Sequence, residues 1–262
     1  MNKVISKDGT RIVYEKIGTG LPVILVDGAM CYRASGPMRP LASLLSKWFT
    51  VYTYDRRGRG ESSDTQPYKI KREIEDLEAL IGEAGDTAFV YGISSGAVLA
   101  LKAAGALGSK IQKLALYEPP FTFGEDARVA SESYTNSLNE LLSAGRNGDA
   151  VELFMKNVGI PEKVIVGMRQ SPMWSQSEAL APTLAYDDAI MGDGTVPIDD
   201  AKAVAIPALV LDGGSSPLFM HEAADSLNES MPSARRYTVK EQTHDVDPEV
   251  LAPILQEFFK ED

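Results

Sequence analysis

The stretch that most constrains this chain is residues 88–101, AFVYGISSGAVLAL, an apolar strand pattern running through an abrupt turn into an apolar helix pattern. At the turn, Gly92-Ile93-Ser94-Ser95-Gly96 fits G-x-S-x-G, the pattern of a nucleophile elbow. A serine at such a turn stands clear of the backbone, and the N-terminus of the following helix faces any negative charge that develops beside it. Glycine is required at Gly92 and Gly96 because a Cβ at either place would crowd the turn. A strand feeding a helix this way belongs to an α/β architecture, so the flanking segments must supply a sheet and covering helices.

They do so in alternation. Residues 4–6 and 10–16 alternate in polarity around Asp8-Gly9, which predicts a hairpin. Residues 22–26, PVILV, form a short apolar run suited to a strand buried on both faces. A helix is expected over 40–45 and a strand over 49–54, running into Asp55-Arg56-Arg57-Gly58-Arg59-Gly60-Glu61-Ser62. Ile70, Ile74, Leu77 and Ile81 recur at helical spacing. After the elbow helix, a strand over 111–117 ends at Glu118-Pro119-Pro120. Residues 121–205 then break the alternation with successive helical patterns over 133–144, 150–158, 161–168 and 177–190. Strand and helix resume at 206–211, 221–227 and 235–239, and a last helix reaches Lys260, with Pro253 predicting a late start or a kink. The expected fold is α/β: a mostly parallel central sheet with helices on both faces, its core made of residues 1–120 and 206–262, and a helical cap inserted over 121–205.

With 262 residues and 44% hydrophobic content, the chain can bury one large core. A net charge of −11 argues against nucleic acid, polyanions or an anionic membrane as partners and leaves a small-molecule substrate. The single cysteine, Cys31, excludes an internal disulfide framework and fits a small buried hydrophobe. The first residues lack an apolar leader core, and no run approaches membrane-spanning length, so a cytoplasmic location is expected. No cofactor and no metal are expected, and the pattern says nothing of the oligomeric state.

The elbow at Ser94, the DRRGRGES loop at 55–62, the N-terminal hairpin, the insertion after the sixth strand and a late histidine together resemble the α/β-hydrolase superfamily over nearly the whole chain. That resemblance implies the catalytic order nucleophile, acid, histidine. Of two histidines, His244 follows the last strand, where the base is implied; His221 lies inside a helical pattern and reads as structural. The acid usually follows the seventh strand in a pattern like G-x-x-D, yet Leu211-Asp212-Gly213-Gly214-Ser215-Ser216-Pro217 places Ser216 there, and a serine carries no charge to stabilise an imidazolium. Some branches place the acid at the end of the sixth strand, which selects Glu118, with Asp212 and then Asp245 as alternatives. The implied oxyanion donors are the backbone N–H groups of Ser95 and Ala29.

One departure is Asp27-Gly28, where the superfamily commonly has His-Gly. An ionised carboxylate facing an oxyanion opposes the transition state, so Asp27 should turn into loop hydrogen bonds or be held protonated; substrate contact is the other reading. Arg56, Arg57 and Arg59 read as structural, and Met30, Tyr32 and Trp174 as lining the substrate pocket. The implied reaction is serine hydrolysis of a neutral, moderately hydrophobic carboxylic ester or lactone through an acyl-enzyme on Ser94. Lyase or cofactor-free oxygenase chemistry with His244 as general base is the alternative, as is non-catalytic ligand binding on the same fold.

Overall fold

In the computed structural model, which describes residues 2–261, the apolar runs pair into one sheet. Its order is β1 (Asn2–Ile5), β2 (Arg11–Ile17), β4 (Thr50–Tyr54), β3 (Pro22–Val26), β5 (Ala88–Ile93), β6 (Ile111–Tyr117), β7 (Ala208–Gly213) and β8 (Ala234–Val239). The β1–β2 hairpin and the β2–β4 pair are antiparallel, and every pairing from β4 onward through β3 to β8 is parallel. The α/β-hydrolase architecture expected from the sequence is therefore observed. β7 begins at Ala208 because Pro207 has no N–H to give the ladder, and it extends through Asp212 to Gly213.

Period-two alternation splits the core into two layers. Ile24, Val26, Val90, Leu114, Leu116 and Val210 meet α2 (Ile70–Glu83), α3 (Ser95–Leu107) and α10 (Leu218–Ser230) on one face. Val23, Leu25, Phe89, Tyr91, Ala115 and Leu209 meet α1 (Met38–Leu45) and α11 (Pro248–Lys260) on the other. α3 is apolar nearly all round, with Val98, Leu99 and Leu101 fully buried, as a helix covered on every side requires. Such a helix is a rigid mount for the serine at its head.

α11 starts earlier than Pro253 implies. Pro248 occupies its first turn, Asp247 accepts from the Glu249 N–H at 2.8 Å, and the helix runs through Pro253 to Lys260. An interior proline costs about 3 kcal/mol, but Leu251, Leu255, Phe258 and Phe259 are buried at about 1.5–3 kcal/mol each, so packing outweighs the lost bond.

Between β6 and β7 lie α4 (Glu125–Ser143), α5 (Asn147–Asn157), α6 (Glu162–Arg169), α7 (Trp174–Leu180), α8 (Leu184–Met191) and α9 (Ile198–Ala203). The pattern read as one helix over 177–190 is two, parted by a tight turn over Ala181–Thr183 that contains Pro182. These helices hold a small core of their own around Leu138, Val151, Met155, Ile165 and Leu184. No helix among the described residues is long and apolar enough to cross a membrane.

Candidate active site

β5 ends at Ile93 and α3 begins at Ser95, which leaves Ser94 alone in the turn at φ 56° and ψ −131°. A non-glycine residue held at positive φ is strained by about 1–3 kcal/mol, so the surroundings must impose it. A Cβ on Gly92 would lie 2.4 Å from the Gly96 carbonyl oxygen, and one on Gly96 would lie 2.4 Å from that of Val26. Both positions therefore require glycine, as the pattern predicts. The Ser94 N–H donates to the Tyr117 carbonyl at 2.9 Å, which ties the turn to the end of β6. The loop after β3 lies against the serine: a Cβ at Gly28 would be 3.1 Å from Ser94 Cβ and 3.7 Å from its Oγ.

Glu118 leaves β6 at φ 44° and is buried. Its N–H donates to the Leu211 carbonyl at 2.9 Å. Its Oε1 accepts from the Gly213 N–H at 2.7 Å, and its Oε2 faces His244 Nδ1 at 2.8 Å. A carboxylate oxygen accepts, so Nδ1–H is the donor of this bond and the ring is held by its Nδ1 edge, leaving Nε2 outside the pair. The Tyr117 hydroxyl donates to the Thr243 carbonyl at 2.6 Å and anchors the histidine loop. His244 keeps 45% of its side chain exposed, whereas its carboxylate partner has none. Neither the Tyr117 hydroxyl nor the Gly213 N–H had a sequence signal, because a tyrosine ending a strand and a glycine after it are both common.

Asp212 is occupied elsewhere. Fully buried, it accepts from Arg236 Nε at 2.9 Å, Arg236 Nη2 at 3.0 Å and Thr238 Oγ1 at 3.1 Å, and it faces His221 Nδ1 at 2.5 Å. His221 thus has a partner that its place in a helix pattern did not reveal. Asp245 is exposed, and the buried Ser216 hydroxyl has no partner among the described residues.

In the loop after β3, Asp27 is buried, but the expected loop hydrogen bonds are missing: its Oδ1 has no partner among the described residues. Burial, opposed by Arg59 and Arg56, pushes its pKa up to about 7, so the protonated form is the one the site favours. Burial, with Asp27 nearby, also pushes the Cys31 thiol up to about 12, which keeps it from acting as a nucleophile. Ser95 is the first residue of α3, so its N–H has no acceptor within the helix. Ala29 and Met30 pack against the apolar cluster that holds Trp174. Trp174 itself is buried within that cluster, with the Arg169 guanidinium over its ring at 5.6 Å. Tyr32 pairs with Ser35 in a tight turn and lines a separate cavity of about 200 Å³ with Glu15, Arg33 and Glu61.

The arginines of the DRRGRGES loop are all buried. Arg56 grips Glu73 through two bonds of 2.8 Å, and Arg57 grips Asp76 at 2.8 and 2.7 Å. Buried guanidinium groups need such bidentate partners, and the loop is accordingly a structural strut.

A profile of the alpha/beta hydrolase family matches residues 18–253, which carry this whole arrangement. The chain belongs to that family. It is similar to the crystal structure of an alpha/beta hydrolase from Sphaerobacter thermophilus DSM 20745, at 47% identity and a TM-score of 0.88, covering 99% of this chain and 100% of that one. A stretch of 104 residues is 32% identical to the uncharacterized hydrolase YraK of Bacillus subtilis (strain 168), covering 38% of each protein. The enol-lactonase from Burkholderia xenovorans LB400 shares the fold, at 20% identity and a TM-score of 0.70 over 99% of this chain and 100% of that one.

Proposed function

We propose that the protein is a serine hydrolase that cleaves a neutral, moderately hydrophobic carboxylic ester or lactone through an acyl-enzyme on Ser94. The observation that carries this reading is the 2.8 Å contact between Glu118 and His244, made where the Ser94 N–H is bonded to the residue before Glu118. Ser94, Glu118 and His244 follow the C-terminal ends of β5, β6 and β8, and these are the residues we assign as nucleophile, acid and base. His244 Nε2 takes the Ser94 proton as Oγ attacks the carbonyl carbon, and Glu118 stabilises the imidazolium. The Ala29 and Ser95 N–H groups receive the oxyanion. Collapse expels the alcohol with the proton from His244; water, deprotonated by the same nitrogen, then releases the acid.

The substrate class follows from the surroundings. Apolar Met30 packs on the inserted helices beside the oxyanion loop, and the net charge of −11 disfavours anionic substrates. The lactonase neighbour supports lactones as well as open esters. Trp174 belongs to the same cluster as Met30, whereas Tyr32 lines the separate cavity beside Glu15, Arg33 and Glu61. We place the enzyme among soluble, cytoplasmic proteins.

The test combines activated aryl esters and lactones with Ser94→Ala, His244→Ala and Glu118→Gln. Burst release of one alcohol per site, labelling of Ser94 by a serine-directed phosphonate and loss of both in Ser94→Ala are expected. Labelling without turnover across the whole screen would instead favour chemistry in which His244 acts on the substrate directly as general base.

A further inference from the structure

Behind the nucleophile, one carboxylate comes from the inserted helices. Asp187 on α8 is 5% exposed. Its Oδ1 accepts from Arg56 Nη1 and from the Ser95 hydroxyl, both at 2.8 Å, and its Oδ2 accepts from Arg59 Nη2 at 2.6 Å. Arg59 Nη1 in turn donates to the Gly28 carbonyl at 2.6 Å. Burial opposes ionisation of Asp187, but Arg59 and Arg56 outweigh it and hold the carboxyl below the ordinary carboxylate range. α8 cannot drift, because Tyr186 stacks on Tyr68 with ring centroids 3.9 Å apart and donates its hydroxyl to Asp64 at 2.6 Å.

The geometry of one peptide gives this cluster its consequence. The Gly28 carbonyl and the Ala29 N–H belong to the same planar trans unit, so they point in opposite directions. A guanidinium bonded to the carbonyl fixes the plane of that unit and strengthens its N–H as a donor, since hydrogen bonds in a chain polarise one another. The second donor, the Ser95 N–H, belongs to the residue whose hydroxyl the same carboxylate holds. One side chain is thereby tied to both donors, to one directly and to the other through Arg59.

We propose that Asp187 is the positioning residue of the oxyanion site, setting the Gly28–Ala29 peptide plane through Arg59 and the start of α3 through Ser95 Oγ. The inserted helices thus complete the reaction site as well as covering it. This rests on the reading of Ser94 as nucleophile with Ala29 and Ser95 as oxyanion donors.

The experiment measures hydrolysis of an activated aryl ester in unmodified protein, Asp187→Asn and Ser95→Ala per active site counted by phosphonate titration, and in Ser94→Ala, which the phosphonate cannot label, per mole of protein. Unmodified protein without turnover, or Ser94→Ala that keeps it, defeats the underlying reading before Asp187 is tested. Asp187→Asn keeps the shape and loses the charge. A fall in kcat per titrated site of about 10- to 100-fold, with KM within about threefold, is expected, because only transition-state stabilisation is weakened. A kcat per titrated site equal to the unmodified protein's overturns the proposal, as does a loss confined to KM. Should Asp187→Asn fail to fold, Ser95→Ala cuts one arm and leaves the ion pairs whole. It is expected to lower kcat per titrated site about 3- to 10-fold, and an unchanged value overturns the proposal equally.

Discussion

Replacing Asp27 with Asn should stabilise the protein, and by an amount that grows as pH rises. Asp27 is 3% exposed, has an unpartnered Oδ1 among the described residues, and has its pKa pushed by burial, against Arg59 and Arg56, from 3.8 up to about 7. For an acid raised in the folded state, the native protein binds the proton more tightly. Stability therefore falls as pH rises from the unfolded value towards the folded one and levels off above it. At about 1.4 kcal/mol per pH unit, the burial penalty is about 2 kcal/mol at pH 5 and about 4 kcal/mol at pH 8. Asn removes that penalty but leaves an amide in the same unpaired place, at about 1–3 kcal/mol. The two proteins should then be nearly equal at pH 5, with Asp27→Asn about 2 kcal/mol more stable at pH 8. Urea unfolding of both, extrapolated to water at unit pH steps from 5 to 8, measures the difference. A difference that stays constant over that range refutes the reasoning, because it means that Asp27 does not titrate there in the folded state. The same charge lies on the residue before Gly28, so ester turnover in the unmodified protein should decline above pH 7 relative to Asp27→Asn.

Glu118→Gln should keep the fold and lower kcat by about 10³- to 10⁴-fold, whereas Asp212→Asn should leave kcat within a few-fold and lower stability by about 2 kcal/mol as Arg236 loses its buried counter-charge; parallel kinetics and denaturant unfolding check both. Gly96→Ala should cost about 3 kcal/mol or more, because its Cβ would meet the Val26 and Asp27 carbonyls at 2.4 and 2.5 Å. By contrast, Gly82→Ala on α2, with nothing within 4 Å, should gain about 0.5 kcal/mol, and thermal melts of the two separate crowding from backbone entropy. Asp187, held below the ordinary carboxylate range, contributes stability that is present above that range and lost as pH falls through its folded pKa; Asp187→Asn should therefore flatten the acid limb of a stability–pH curve.

What the sequence made legible was whatever period and local chemistry encode. Short apolar runs marked β3, β4 and β5, and the spacing of Ile70, Ile74, Leu77 and Ile81 marked α2, because each carries its whole signal within one window. The first turns of α4 escaped notice, since only Leu138 of that helix is buried and its exposed N-terminal half leaves no stripe to read. Pro253 misled because a local rule was outweighed by the packing of α11. Ser94, Glu118 and His244 are what the family resemblance pointed to, with Asp212 and Asp245 left open as the acid; that Glu118 meets His244 is a structural fact. Asp187 had no such cue. It binds residues 92, 128 and 131 positions away, and helical spacing shows only which face it shares with its neighbours.

That Glu118 rather than Asp212 meets His244 has a geometric reason that the β7 residues supply. Successive side chains in a strand point to opposite faces, so Asp212 and Gly213 cannot serve the same side of the sheet. β7 keeps its register with β8 through Asp212↔Thr238 and Gly213↔Val239, and in that register Asp212 meets Thr238, Arg236 and His221. Reaching His244 would need a one-residue slip, which would also turn Leu209 and Leu211 out of their core layer. Glu118 avoids the conflict by leaving β6 at positive φ and receiving the Gly213 N–H from the neighbouring strand. The residue after Asp212 therefore reaches the Glu118 carboxylate through its backbone alone, and it must be glycine because a Cβ there would meet the Gln242 carbonyl oxygen at 2.5 Å. Asp212, turned to the other side of the sheet, closes the β7–α10–β8 corner with an ion pair to the half-buried Arg236.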